Sequence, residues 1–115
     1  MQSESIAYQK ALLFAKRIVY LSRHMNEGHH EFVLAKQILR SGTSIGANIA
    51  EARCGSSRKD FLAKIYIALK ECAETIHWLD LLHMTELLSD DEYKSLRSDC
   101  EDLRKMLSST TASVC

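Results

Sequence analysis

The chain has 115 residues, 46% of them hydrophobic and 26% charged, with a formal net charge of zero. That is one domain's length, with enough apolar content to bury a core and too little net charge to stay disordered. Zero prolines and only four glycines exclude a turn-rich β-sandwich and favour long helices.

The first predicted helix runs from about Ser5 to Asn26. Tyr8, Leu12, Ala15, Val19 and Ser22 recur at helical spacing and are expected to face the core. Gly28, within Asn26-Glu27-Gly28-His29-His30, is expected to end it. The second helix runs from about Glu31 to Ala52, with Leu34, Ile38, Gly42, Ile45, Ile49 and Ala52 inward. Its middle, Ser41-Gly42-Thr43-Ser44-Ile45-Gly46, is poor in helix formers. Each glycine costs about 1 kcal/mol against alanine, so a short loop is the competing reading. Gly42, Gly46 and Ala50 lie four apart, however, and make a smooth groove in which another helix can approach closely. A continuous helix is favoured.

Arg53-Cys54-Gly55-Ser56 is the next turn, and Ser57 with Asp60 three residues on has the form of an N-cap. The third helix is predicted from Arg58 to Leu88, with Phe61, Ile65, Ala68, Cys72, Ile76 and Leu79 inward. Ser89-Asp90-Asp91-Glu92 is a second capping box, whose acids suit the positive end of a helix dipole. The fourth helix follows from about Asp90 to Leu107, burying Tyr93, Leu96, Cys100, Leu103 and Leu107. Residues 108–115 are polar and aperiodic and are expected to form a disordered tail. Short connections make neighbours antiparallel, so residues 1–107 read as an all-α, up-down-up-down four-helix bundle.

Large apolar residues also fall off these stripes. Phe14 and Leu21 on the first helix, and Ile67, Trp78 and Leu81 on the third, are expected to point outward and form an oligomer interface. A broader core is the plainer alternative.

Charge is uneven along the chain. Residues 1–60 hold nine Lys/Arg against five Asp/Glu, a net +4; residues 61–115 hold six against ten, a net −4. Small counts fluctuate this much. The other reading is a polarised subunit that pairs head to tail or offers its basic half to an acidic partner. Lys16 and Arg17 on the first helix, with Arg53, Arg58 and Lys59 at the second turn, are the candidate phosphate contacts. Solvated surface charge is the plainer reading of any one of them.

Catalytic and metal motifs are weak. Glu27-x-x-His30 and Glu74-x-x-His77 match the Glu-x-x-His element of di-iron bundles, but the first straddles a turn and the second faces away from Phe61 and Cys72. No Ser/His/Asp or Cys/His nucleophile motif and no glycine-rich phosphate loop is present. No catalytic residue, metal or cofactor is assigned. Cys54, Cys72, Cys100 and Cys115 lack C-x-x-C spacing and read as free thiols, two of them in the core. The start of the chain lacks signal-peptide character and no apolar run nears about 18 residues, so a cytoplasmic protein without a membrane partner is expected.

Two segments are distinctive: Arg40-Ser41-Gly42-Thr43-Ser44-Ile45-Gly46-Ala47-Asn48-Ile49-Ala50-Glu51-Ala52, and Ile67-Ala68-Leu69-Lys70-Glu71-Cys72-Ala73-Glu74-Thr75-Ile76-His77-Trp78-Leu79. With them the chain, from about Tyr8 to Leu107, resembles the bacterial four-helix-bundle family encoded in intervening sequences of the large-subunit ribosomal RNA gene. Many members carry Ser-Ile-Pro-x-Asn-Ile-Ala-Glu-Gly; here Gly46 replaces that proline and Ala52 the last glycine. Gly42, Ser44, Gly46, Asn48 and Glu51 are the motif positions, with Asn48 and Glu51 expected to tie the second helix to a neighbouring helix or subunit. The resemblance implies a ring, commonly a homopentamer. The family is similar to the accessory variability determinant of diversity-generating retroelements, a pentameric barrel with a basic channel that binds nucleic acid and a reverse transcriptase. The expected function is a non-enzymatic ring that binds RNA or DNA through backbone phosphates. The alternative is a protein adaptor, such as an accessory subunit of a reverse transcriptase or other nucleic-acid enzyme.

Overall fold

The computed structural model describes residues 2–114, with side chains over 6–112. Four helices follow in order: α1 (Gln2–His29), α2 (Phe32–Arg53), α3 (Arg58–Met84) and α4 (Asp90–Val114). Each packs against its neighbours in sequence, and α4 closes the square against α1. Pairings run in opposite directions at every seam: Ile18 and Ala11 meet Gly42 and Gly46, and Glu51 and Arg40 meet Lys64 and Glu74. Asp80 and Cys72 meet Arg97 and Cys100, and Arg17 meets Asp99. The bundle is therefore up-down-up-down, 44 Å long and 21 by 18 Å across.

The second helix is continuous through its glycines. A Cβ at Gly42 would sit 2.9 Å from Cγ2 of Ile18, so only glycine lets α1 and α2 approach this closely. That contact also decides which face of α1 is inside. The buried stripe is Ala7, Ala11, Phe14, Ile18, Leu21 and Met25. Phe14 is 2% exposed and Leu21 7%, whereas Leu12 is 51% exposed. The sequence expectation is corrected on this point: Phe14 and Leu21 are core, and Leu12 is surface. Helix α1 is apolar on more than one side, so its period does not choose; the small Ala7 and Ala11 and the seating of Ile18 on Gly42 do.

Helix ends follow local chemistry. Ser57 caps α3, its Oγ accepting from Asp60 N–H at 3.1 Å. Ser89 caps α4, accepting from Glu92 N–H at 3.2 Å while its hydroxyl donates to the Glu92 carboxylate at 3.0 Å. Gly28 does not end α1. The helix passes through it to His29, and the left-handed turn residue is His30, at φ 52°. Helix α3 stops at Met84 rather than Leu88. Glu86 sits at φ 65°, and the N–H groups of Leu87 and Glu86 donate to the carbonyls of Leu82 and His83, the paired bonds of a Schellman end. The expected tail from Ser108 is instead helix as far as Val114. Thr110 is buried beside Leu107, and its hydroxyl donates to the Met106 carbonyl at 3.0 Å. Cys115 lies outside the described residues.

Two hydroxyls inside the core are paired, whereas Asn26 Oδ1, at the α1 end of the bundle, is buried without a hydrogen-bond partner. Thr75 Oγ1 and Ser41 Oγ, both fully buried, lie 2.9 Å apart and bond α3 to α2. The carbonyls of Glu71, 2.8 Å from Thr75 Oγ1, and Ile38, 3.4 Å from Ser41 Oγ, are alternative acceptors for the pair's second proton. Cys72 and Cys100 are also buried, the Cys100 thiol donating to the Cys72 carbonyl at 3.5 Å. The contact with Cys72, and burial after it, push the Cys100 thiol far above its ordinary range.

Candidate nucleic-acid interface

The turn between α2 and α3 is built tightly. Gly55 N–H donates to the Ala52 carbonyl at 3.0 Å, and a Cβ on Gly55 would lie 3.1 Å from that same oxygen. This closure places Arg53, at the end of α2, at the same pole of the bundle as Arg58 and Lys59, in the first turn of α3. All three are exposed, and none makes an ion pair among the described residues. The Arg53 guanidinium lies 5.3 Å from the Tyr8 ring centre, which steadies it without neutralising it. The N-terminus of α3 adds its positive dipole end.

The other two candidate cations are elsewhere. Arg17 is bound to α4: Nη1 pairs with Asp99 Oδ2 at 2.6 Å and Nη2 donates to Ser95 Oγ at 2.9 Å. Unlike the cations of the α2–α3 turn, it is paired with an acid of the same chain. Lys16 stays on the exposed face of α1, 6.0 Å from the Tyr20 ring, with Arg23 at 5.9 Å from the same ring. It lies about 12 Å along the helix from Tyr8.

The residues expected at an interface divide between core and surface. With Phe14 and Leu21 inside, Ile67 is the exposed member of the set, while Trp78 and Leu81 are half-buried. The Trp78 indole donates to Glu74 at 3.0 Å, and His77 meets its ring edge-on. Apolar residues that face solvent instead are Ile6, Leu12, Leu13 and Tyr20 on α1 and Phe32 and Val33 at the start of α2. Ile6, Leu13 and Tyr20 are spaced by seven, a signal that was in the sequence.

The motif positions make the following contacts within the chain. Gly42 and Gly46 face α1. Ser44 Oγ donates to the Arg40 carbonyl at 2.6 Å, and Asn48 Nδ2 to the Ser44 carbonyl at 2.8 Å. Asn48 thus bonds its own helix and makes no tie to another helix of the same chain among the described residues. Glu51 does make such a tie, pairing with Lys64 of α3 at 2.8 Å. Glu74, of the second Glu-x-x-His motif, is held by Arg40 and Trp78, and these bonds keep its carboxyl below the usual carboxylate range. His83 bonds Asp90 at 2.6 Å and stacks on Tyr93, joining the α3–α4 turn. Among the described residues, no group of three or more His, Cys, Asp or Glu is placed to hold a metal ion. Among the described residues, no helix is long and apolar enough to cross a membrane.

The fold is that of an antiparallel all-α four-helix bundle with a close glycine crossing between α1 and α2. The chain belongs to the 23S rRNA-intervening sequence protein family, whose model matches residues 3–109. It is similar to a crystal structure of a protein of unknown function from the S23 ribosomal protein family of Bacteroides thetaiotaomicron. The two share 47% identity over 94% of this chain and 96% of that one, with a TM-score of 0.92. No curated protein matches the chain.

Proposed function

We propose that the protein is a non-enzymatic, cytoplasmic, ring-forming bundle that binds RNA or DNA through backbone phosphates. One observation carries the reading: Arg53, Arg58 and Lys59 are gathered at one end of the bundle, exposed and without an acidic partner among the described residues. Cations presented this way hold phosphates without reading bases. One subunit offers few contacts, so useful affinity needs several copies acting together. Assembly, as the homopentamer expected of the family or another ring, draws on the outer face of α1. There Ile6, Leu12, Leu13 and Tyr20 stand exposed in place of the interior Phe14 and Leu21. A second reading, an adaptor for a reverse transcriptase or another nucleic-acid enzyme, draws on Phe32, Val33 and Met84, exposed at the opposite end.

A salt titration of RNA and DNA binding by fluorescence anisotropy tests the proposal. Binding is expected to fall steeply with salt, by close to one log unit per log unit of salt for each phosphate neutralised. Charge reversal at Arg58 and Lys59 is expected to weaken binding to all sequences alike and to flatten that slope. Absence of binding to any RNA or DNA at about 50 mM salt, by protein shown to be assembled, would favour the adaptor instead.

A further inference from the structure

We infer that the outer stripe of α3 takes single-stranded rather than duplex nucleic acid, with the Tyr66 ring as a stacking platform between two lysines. The inference rests on the phosphate-binding reading above and names the form of strand it serves. Lys59, Tyr66 and Lys70 share one stripe of α3, and Tyr66 is 48% exposed. A shallow depression beside the ring is lined by Arg58, Lys59, Leu62, Ala63 and Tyr66. Its floor is apolar and its rim is cationic.

Three of the four acids of α3, Glu71, Glu74 and Asp80, pair with arginines and leave the lysines of this stripe without ion-pair partners, while Asp60 keeps its charge. Every carboxylate of α3 is engaged within the molecule. Asp60 accepts from the Ser56 hydroxyl, Glu71 and Glu74 face Arg40, and Asp80 accepts from Tyr93 and pairs with Arg97. Lys64 is likewise taken by Glu51. Lys59 and Lys70 make no ion pair among the described residues and flank the ring about 10 Å and about 6 Å along the helix. A flat ring with a cation on either side suits a base with its neighbouring phosphates. In a duplex the base faces are already stacked, so the ring has nothing to cover. Only the lysines contribute there.

Anisotropy titrations of a labelled oligouridylate and an RNA duplex of equal length decide the matter, using the wild type, Tyr66→Ala and Tyr66→Phe. The expected result is tighter binding of the single strand by the wild type. Tyr66→Ala should lower single-strand affinity by about tenfold and leave duplex affinity unchanged. Tyr66→Phe should keep the preference. Equal affinity for both strands, with Tyr66→Ala changing neither, overturns the inference and leaves phosphate binding standing. No binding of either probe overturns both. Sedimentation of the same variants separates one further case: a smaller assembly for Tyr66→Ala would make the face a contact between copies, which also overturns it.

Discussion

The α2–α3 seam and the α1–α4 seam are built on opposite plans. Between α2 and α3, a buried hydroxyl pair at Ser41 and Thr75 lies inside, and the ion pairs of Glu51 with Lys64 and Arg40 with Glu71 and Glu74 lie outside. Between α1 and α4, long side chains hold the helices apart around a cleft of about 180 Å³. Lys10, Phe14, Arg17, Asp99 and Asp102 are among the residues lining it. Arg17 and Asp99 bridge it at the surface. Small residues and short hydroxyls allow close contact, whereas charged chains set a spacing. The tight seams also join helices linked by short turns, while α1 and α4 are the two ends of the chain.

The largest test of this contrast is Phe14→Ala, which empties the side chain that fills the loose seam from within. A loss of about 3–5 kcal/mol in urea unfolding is expected for an interior phenylalanine. A loss near zero, with dissociation of an assembly, would return Phe14 to the surface. Next in size is the glycine pair. Gly42→Ala drives a Cβ against the buried Ile18, and overpacking of this kind costs about 1–3 kcal/mol. Better helix propensity offsets about 1 kcal/mol of that. Gly46→Ala meets Ala11 Cβ at an ordinary 3.5 Å and should be neutral or slightly stabilising. Thermal melts of the two variants side by side separate close crossing from a merely glycine-tolerant helix.

The smallest effect is the pH dependence of the Arg40 cluster. Glu74 is held below the usual carboxylate range by Arg40 and then by Trp78. Its contribution is therefore complete above the ordinary glutamate value of about 4.3 and lost as pH falls through its lower folded value. Glu74→Gln should lower stability at pH 7 and lessen the decline on acidification below that ordinary value. Identical acid profiles for the two proteins would show the cluster to be solvated decoration.

The same contrast explains what was legible in the sequence. Features set by neighbours along the chain were readable: the caps at Ser57 and Ser89 and the continuous α2. Features set by distant partners were not. Arg17 looks like any surface cation until Asp99, 82 positions away, is placed beside it. The buried face of α1 depends on Gly42 of another helix. The end of α3 was missed for a local reason: Glu86 occupies a left-handed position where sequence patterns expect glycine. The run after Leu107 was missed because its polar residues bond back to their own helix and leave no apolar period to follow.

An even number of alternating helices has a practical consequence for how the molecule can be handled. The start of α1 and the finish of α4 lie at the same pole as Arg53, Arg58 and Lys59. An affinity tag or fluorescent fusion attached near Gln2 or Val114 therefore lies at the pole of the basic turn. Attachment sites that leave this pole clear lie at the opposite one, in the short turns around His30 and Glu86, where probes and circular permutation breakpoints are better sited.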